Sequence, residues 1–168
     1  MTAPVLLLGH GASGTSQSML PWVRALDAHG IRARSLDLPR GNAERAAERF
    51  LDALDSARCA IGGHSYGGRA ASLAAASAPV AGLVLLSYPL HRPGHADDLR
   101  TSHWPSISCP VLVLSGERDP FARVDLLRQE VLRLRSAELV TYAGQGHGLL
   151  GVIDDAVQHI ARFIRTQR

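Results

Sequence analysis

Three side chains in this sequence have the types, surroundings and order needed for nucleophilic chemistry. The first is Ser65 in the run Gly63-His64-Ser65-Tyr66-Gly67. A serine hydroxyl is a weak nucleophile at neutral pH and needs a neighbouring base. The run follows an apolar strand-like segment, Cys59–Gly63, and opens onto an Ala-rich helical segment, Ala70–Ala78. A serine held on a sharp strand-to-helix turn, with glycines around it, has the form of a nucleophile elbow. The second side chain is His147, set among Gly144, Gly146 and Gly148. As general base it would take the Ser65 proton and later return it to a leaving group. The third is Asp119, in Ser115-Gly116-Glu117-Arg118-Asp119-Pro120. A carboxylate there would hold the imidazole in one tautomer and stabilise its cation. Attack on a carbonyl also needs two backbone N–H donors for the oxyanion. Tyr66, next after the serine, is one. Ala12 in the glycine-rich turn Gly9-His10-Gly11-Ala12 is the other, with Gly11 as the nearby alternative.

The elements that must position these residues can be read from the apolar pattern. Strands are expected over Val5–Gly9, Ala33–Leu38, Cys59–Gly63, Gly82–Tyr88, Val111–Ser115 and Glu138–Tyr142. Several are apolar almost throughout, as parallel strands covered on both faces are. Helical patterns lie between them. Ser18–His29 carries Leu20, Val23 and Leu26, and Asn42 can cap a helix with Ala43, Ala47, Phe50 and Leu54 on one face. Arg123–Leu134 follows the fifth strand, and Asp154 is expected to cap the last helix, with Val157, Ile160 and Ile164 inward. Alternating strands and helices imply a single α/β domain over residues 1–168, with a parallel sheet and right-handed crossovers. In such a sheet the functional residues collect at the carboxyl ends of the strands. Ser65, Asp119 and His147 follow the third, fifth and sixth strands.

Composition narrows the setting. All 18 basic residues are Arg, the formal charge is +3, and acidic residues interleave with the basic ones. That describes a solvated surface rather than a nucleic-acid stripe. No apolar run approaches the ~20 residues of a membrane span, and the N-terminus lacks the pattern of a signal peptide. Cys59 and Cys109 both open strands and read as buried free thiols, so a reducing cytoplasm is the expected compartment. His91, His95, Asp97, Asp98 and His103 share an irregular stretch without a rigid ligand spacing, so no metal and no cofactor is expected.

The motifs Gly9-His10-Gly11-Ala12, Gly63-His64-Ser65-Tyr66-Gly67-Gly68-Arg69, Ser115 to Phe121 and Gly146-His147-Gly148 together resemble a single-domain α/β-hydrolase of the dienelactone-hydrolase-like branch. The order Ser…Asp…His is that of α/β-hydrolases. The segments Leu86 to His91 and Leu99 to Pro105 are similar to a smaller group, typified by a non-catalytic regulatory subunit of the NSL histone-acetyltransferase complex and its testis-expressed relative. The resemblance implies a minimal fold of about six parallel strands in order 2-1-3-4-5-6, without the usual leading hairpin and without a large cap. Only Pro89–Ser108 is available between strands four and five, so a shallow, open site is expected. Ser65 stands where true dienelactone hydrolases carry cysteine, so their substrate is not carried over.

The function expected on these grounds is cleavage of small carboxylic esters or thioesters through an acyl-enzyme. The alternative is a non-catalytic interaction module that keeps the fold. Oligomeric state is left open. Gly11, Met19, Tyr88, His91, Phe121 and Leu149 follow strand ends or active loops and are expected to line the substrate pocket. His10 and His64 are expected to be structural. Arg69, one turn after Ser65, is expected to anchor its helix through an ion pair, with contact to a substrate carboxylate as the alternative.

Overall fold

The computed structural model describes residues 5–167. Six parallel strands form one sheet: β1 (Val5–Gly9), β2 (Arg32–Leu36), β3 (Ala60–His64), β4 (Leu83–Leu86), β5 (Val111–Gly116) and β6 (Ala137–Tyr142). Their order is 2-1-3-4-5-6, with every neighbouring pair parallel. Four α-helices lie in the connections, α1 (Leu20–Ala28), α2 (Ala43–Ala53), α3 (Tyr66–Ser77) and α4 (Val124–Glu130), and α5 (Ile153–Thr166) follows β6.

The near-continuous apolar runs have the physical cause expected of them. Successive strand residues point to opposite faces, and here both faces are covered. Leu7, Ile61, Leu83, Leu85, Val111 and Val113 pack on the side that holds α2 and α3. Leu6, Leu8, Val84, Leu86, Leu112 and Leu114 pack on the side that holds α1 and α5. The edge strand β2 is different: its alternating exposure, with Arg32 and Arg34 outward, is that of a strand half in solvent. Arg32 and Arg34 also give the exposed edge cationic side chains, which discourage pairing with another chain.

Several boundaries differ from the sequence expectation, each for a local reason. β4 stops at Leu86 because Ser87 takes a positive φ of 51°. The expected helix Arg123–Leu134 gives way after Glu130 to a 3-10 turn, Val131–Arg133. Asp154 does not cap α5. The capping position is Val152, and Asp154 and Asp155 lie in the first turn, where their charge faces the positive end of the helix dipole. Asn42 does cap α2, its side chain accepting from the Arg45 amide at 2.9 Å. The stretch after β4 contains only one short 3-10 turn, Trp104–Ser106, before β5.

α3 must lie very close to β1 to place Ser65 at the sheet edge. At Gly67 a β-carbon would stand 2.3 Å from the Gly9 carbonyl carbon and 2.4 Å from its oxygen. Neither backbone can yield without moving the helix off the sheet. Gly67→Ala is therefore expected to lower the unfolding free energy by about 3 kcal/mol, the upper end of overpacking costs. Urea denaturation followed by circular dichroism would check this, and a change below about 0.5 kcal/mol would show that α3 can retreat freely.

Candidate active site

Ser65 sits between β3 and α3 with φ 50° and ψ −116°, a conformation that a side chain rarely adopts. Two hydrogen bonds hold it there. Its amide donates to the Leu86 carbonyl at 2.8 Å, and its carbonyl accepts from the Arg69 amide at 3.0 Å. The strain aims the hydroxyl away from the helix and toward the ends of the strands.

The other two side chains reach it from the ends of β5 and β6. The turn after β5 is tied to the β6 loop by Glu117 N–H to the Tyr142 carbonyl, 3.0 Å, and Arg118 N–H to the Gln145 carbonyl, 2.9 Å. A β-carbon on Gly116 would meet the Gln145 and Gly146 carbonyl oxygens at 2.3 Å, so glycine permits this approach. The result is a continuous chain of hydrogen bonds. His147 Nδ1 lies 2.8 Å and 3.0 Å from the two Asp119 carboxylate oxygens, and His147 Nε2 lies 2.8 Å from Ser65 Oγ. A carboxylate only accepts, so Nδ1 carries the proton and Nε2 accepts from the serine hydroxyl. The Asp119 side chain is 0% exposed, and it also accepts from the Phe121 amide at 2.8 Å. Glu117, the neighbouring acid, is turned elsewhere: it accepts from Thr141 at 2.8 Å and pairs with Arg128 at 3.5 Å.

The imidazole of His147 is also held by its neighbours. The Phe121 ring centroid lies 4.4 Å away and that of His64 lies 5.2 Å away. His64 donates Nε2–H to the His147 carbonyl at 3.0 Å, which fixes the loop rather than the chemistry. Burial pushes the His64 pKa down, against the opposing pull of that hydrogen bond, so the ring is neutral near pH 7. His10 ties the other wall. Its Nδ1–H donates to the Gly11 carbonyl at 2.7 Å, and its Nε2 accepts from the Leu38 amide at 3.0 Å.

A cavity of about 570 Å³ opens over Ser65, within the range of small-molecule sites. Gly11, Ala12, Tyr66, Phe121 and His147 line it. Tyr66 stands at the first position of α3, where an amide has no intrahelical acceptor. Its hydroxyl reaches the carbonyls of Pro39 and Asn42 and so pins the residue. Ala12 lies in a turn closed by the Gly14 amide donating to the Gly11 carbonyl, 3.0 Å.

Four of the expected pocket residues lie elsewhere. Met19 and Leu149 are buried in the core between the sheet and helices α1 and α5. Tyr88 is buried on the opposite face, edge-on to Trp104, with its hydroxyl donating to the Arg100 carbonyl at 2.6 Å. His91 is buried as a strut: Nδ1–H donates to the Arg92 carbonyl at 2.9 Å, and Nε2 accepts from the Arg123 amide at 3.1 Å. In each case the backbone passes the site while the side chain turns inward to satisfy packing.

Arg69 departs from expectation in another way. It lines the cavity and forms no ion pair with any described residue. Arg100, from the irregular stretch after β4, lines the same cavity and was not anticipated from sequence. Nothing local in the sequence marks it among 18 arginines.

A hydroxyl hydrogen-bonded to an imidazole that is itself backed by a buried carboxylate is an arrangement able to activate a serine. Among the described residues, no helix is long and apolar enough to cross a membrane. The chain is 29% identical over 181 residues to a "Putative non-heme haloperoxidase" of Mycobacterium phage D29, covering 98% of this chain. It spans 60% of that relative's length. Among solved structures, the fold resembles the monoacylglycerol lipase of Paleococcus ferrophilus, with TM-score 0.84 and 15% identity over 100% of this chain and 97% of that one. It also resembles the dienelactone hydrolase of Anabaena variabilis, with TM-score 0.81 and 19% identity over 98% and 87%. At these identities the likeness is one of fold. The sequence itself carries the assignment further, because residues 2–163 match the pattern of the alpha/beta hydrolase domain, and the chain belongs to that family.

Proposed function

We propose that this protein is a serine hydrolase that cleaves small carboxylic esters or thioesters through an acyl-enzyme. The observation that carries the reading is the unbroken path from Ser65 Oγ through His147 to the buried Asp119. In the forward step His147 Nε2 takes the Ser65 proton as Oγ bonds to the carbonyl carbon. The carbonyl electron pair moves to oxygen, where the Ala12 and Tyr66 amides are the proposed donors. The imidazolium then protonates the leaving alcohol or thiol as that bond breaks, leaving an acylated Ser65. Water, deprotonated by His147, repeats the sequence and releases the acid. Asp119 holds the imidazole tautomer and its positive charge throughout.

The two cysteines are buried and free, which suits a reducing cytoplasm. The finer likeness to a histone-acetyltransferase regulatory subunit argues for an interaction module instead. We rank it second because a scaffold has no need of a strained serine, a bonded histidine and a buried acid in register.

A fluorophosphonate probe tests the reading directly. Folded wild type is expected to be labelled at one residue, while Ser65→Ala and heat-denatured protein stay unlabelled. Absence of label on folded wild type would remove the enzyme assignment and make the interaction module the leading description.

A further inference from the structure

We infer that Arg69 and Arg100 form a cationic subsite for a carboxylate carried by the ester, a few atoms from its scissile carbonyl; this rests on the serine-esterase reading above. Both side chains line the cavity that holds Ser65 and His147. Arg92, Arg123, Arg128, Arg133 and Arg162 have carboxylate partners, and every described arginine other than Arg69 and Arg100 is exposed to solvent, whereas these two are half-buried. Arg69 and Arg100 have none among the described residues. Asp98, whose charge acts on Arg100, is exposed and lies 3.7 Å from Arg92, and Glu44 is exposed in the first turn of α2. The Nε of Arg69 is buried and has no hydrogen-bond partner. A buried donor on a cation is costly to leave unpaired, and a substrate oxyanion would satisfy it.

The two residues are built into place. The Arg100 amide donates to the Leu90 carbonyl at 2.8 Å, and the Arg100 carbonyl accepts from the fully buried Tyr88 hydroxyl at 2.6 Å. This clamps the backbone and leaves only the guanidinium free to enter the cavity. Arg69 is fixed on α3, with its carbonyl accepting from Ser72, whose hydroxyl lies 2.7 Å from His103 Nε2. Burial, aided by the Arg69 charge, pushes the His103 pKa down to about 4, so His103 adds no charge of its own near pH 7. Burial, with the charges of Arg69 and Arg92, lowers the Arg100 pKa against the opposing pull of Asp98, so the cations outweigh the anion at this end of the cavity. Planar guanidinium forks match the two oxygens of a carboxylate.

Two pairs of matched esters test this. The first is 4-nitrophenyl hemiglutarate against its methyl-capped counterpart, which puts the charge on the acyl side. The second is 4-acetoxybenzoate against methyl 4-acetoxybenzoate, which puts it on the alcohol side. In one pair the wild type is expected to favour the charged ester by at least ~10-fold in kcat/KM, the scale of one charge-assisted hydrogen bond. Arg100→Gln and Arg69→Gln are each expected to shrink that ratio about tenfold, and Arg100→Lys to shrink it less. Glutarate should compete with substrate on the wild type, more weakly as salt rises, which needs no variant to fold. Hydrolysis of the neutral esters, abolished by Ser65→Ala, without preference for charge in either pair would overturn the subsite and leave the esterase reading standing. Tighter competition by inorganic phosphate than by glutarate would overturn the carboxylate assignment. Failure of all four esters together with absence of fluorophosphonate label would overturn both readings.

Discussion

Ser65→Ala is expected to lower kcat for ester hydrolysis by about 10⁶-fold, the scale found when a triad serine is removed. The size follows from the chemistry. On the proposed mechanism, a chain without Oγ forms no acyl-enzyme, and His147 has only water to activate. What remains is the acceleration from substrate binding and from the amide donors. The variant should stay folded, because alanine keeps the β-carbon and so leaves the backbone strain at φ 50° unchanged. The Ser65 amide and carbonyl bonds to Leu86 and Arg69 also survive, since both are main-chain. Unfolding midpoints of the two proteins would establish this alongside the kinetics. Turnover within tenfold of wild type would sink the assignment of Ser65 as nucleophile.

Asp119→Asn is expected to lower kcat by about 10⁴-fold, as in the corresponding protease variant, which converts to about 5.4 kcal/mol of activation free energy. The substitution is nearly isosteric, and the amide oxygen can still accept from Phe121 as Asp119 does at 2.8 Å. The loss comes from proton placement. With an amide N–H₂ facing Nδ1, the ring is stabilised with its proton on Nε2. That nitrogen can then no longer accept from Ser65 Oγ, now 2.8 Å away. The rate of fluorophosphonate labelling should fall alongside kcat, because both depend on the same deprotonation. A loss under tenfold would show that Asp119 does not set the tautomer. Glu117 could not readily replace it, being turned to Thr141 and Arg128.

The sheet was legible because burial on both faces leaves a plain trace. Leu6-Leu7-Leu8, Leu83 to Leu86 and Val111 to Leu114 read as parallel strands before any coordinate is known. The boundaries were less legible where the controlling contact is not local. α3 begins at Tyr66, four residues before the expected start at Ala70, because the elbow feeds directly into it. The glycines at its start look like helix breakers until β1 is seen packed against Gly67 and β3 against Gly68. Strand β4 ends early at a positive-φ serine that no composition rule marks.

By itself the sequence determined the alternation of elements, and with it the placement of Ser65, Asp119 and His147 at one edge. In a parallel sheet all carboxyl ends share an edge, so residues that follow different strands are brought together whatever their separation in the chain. Tertiary structure alone decided which other side chains face the cavity. Tyr88, His91, Met19 and Leu149 pass close to the site in sequence yet point into the core, while Arg100 points out of it. A side chain leaving an irregular loop takes its direction from contacts far along the chain, such as Arg123 for His91. Periodicity reports nothing about such contacts, and it was the absence of one, an acid beside Arg69, that only the folded chain could reveal.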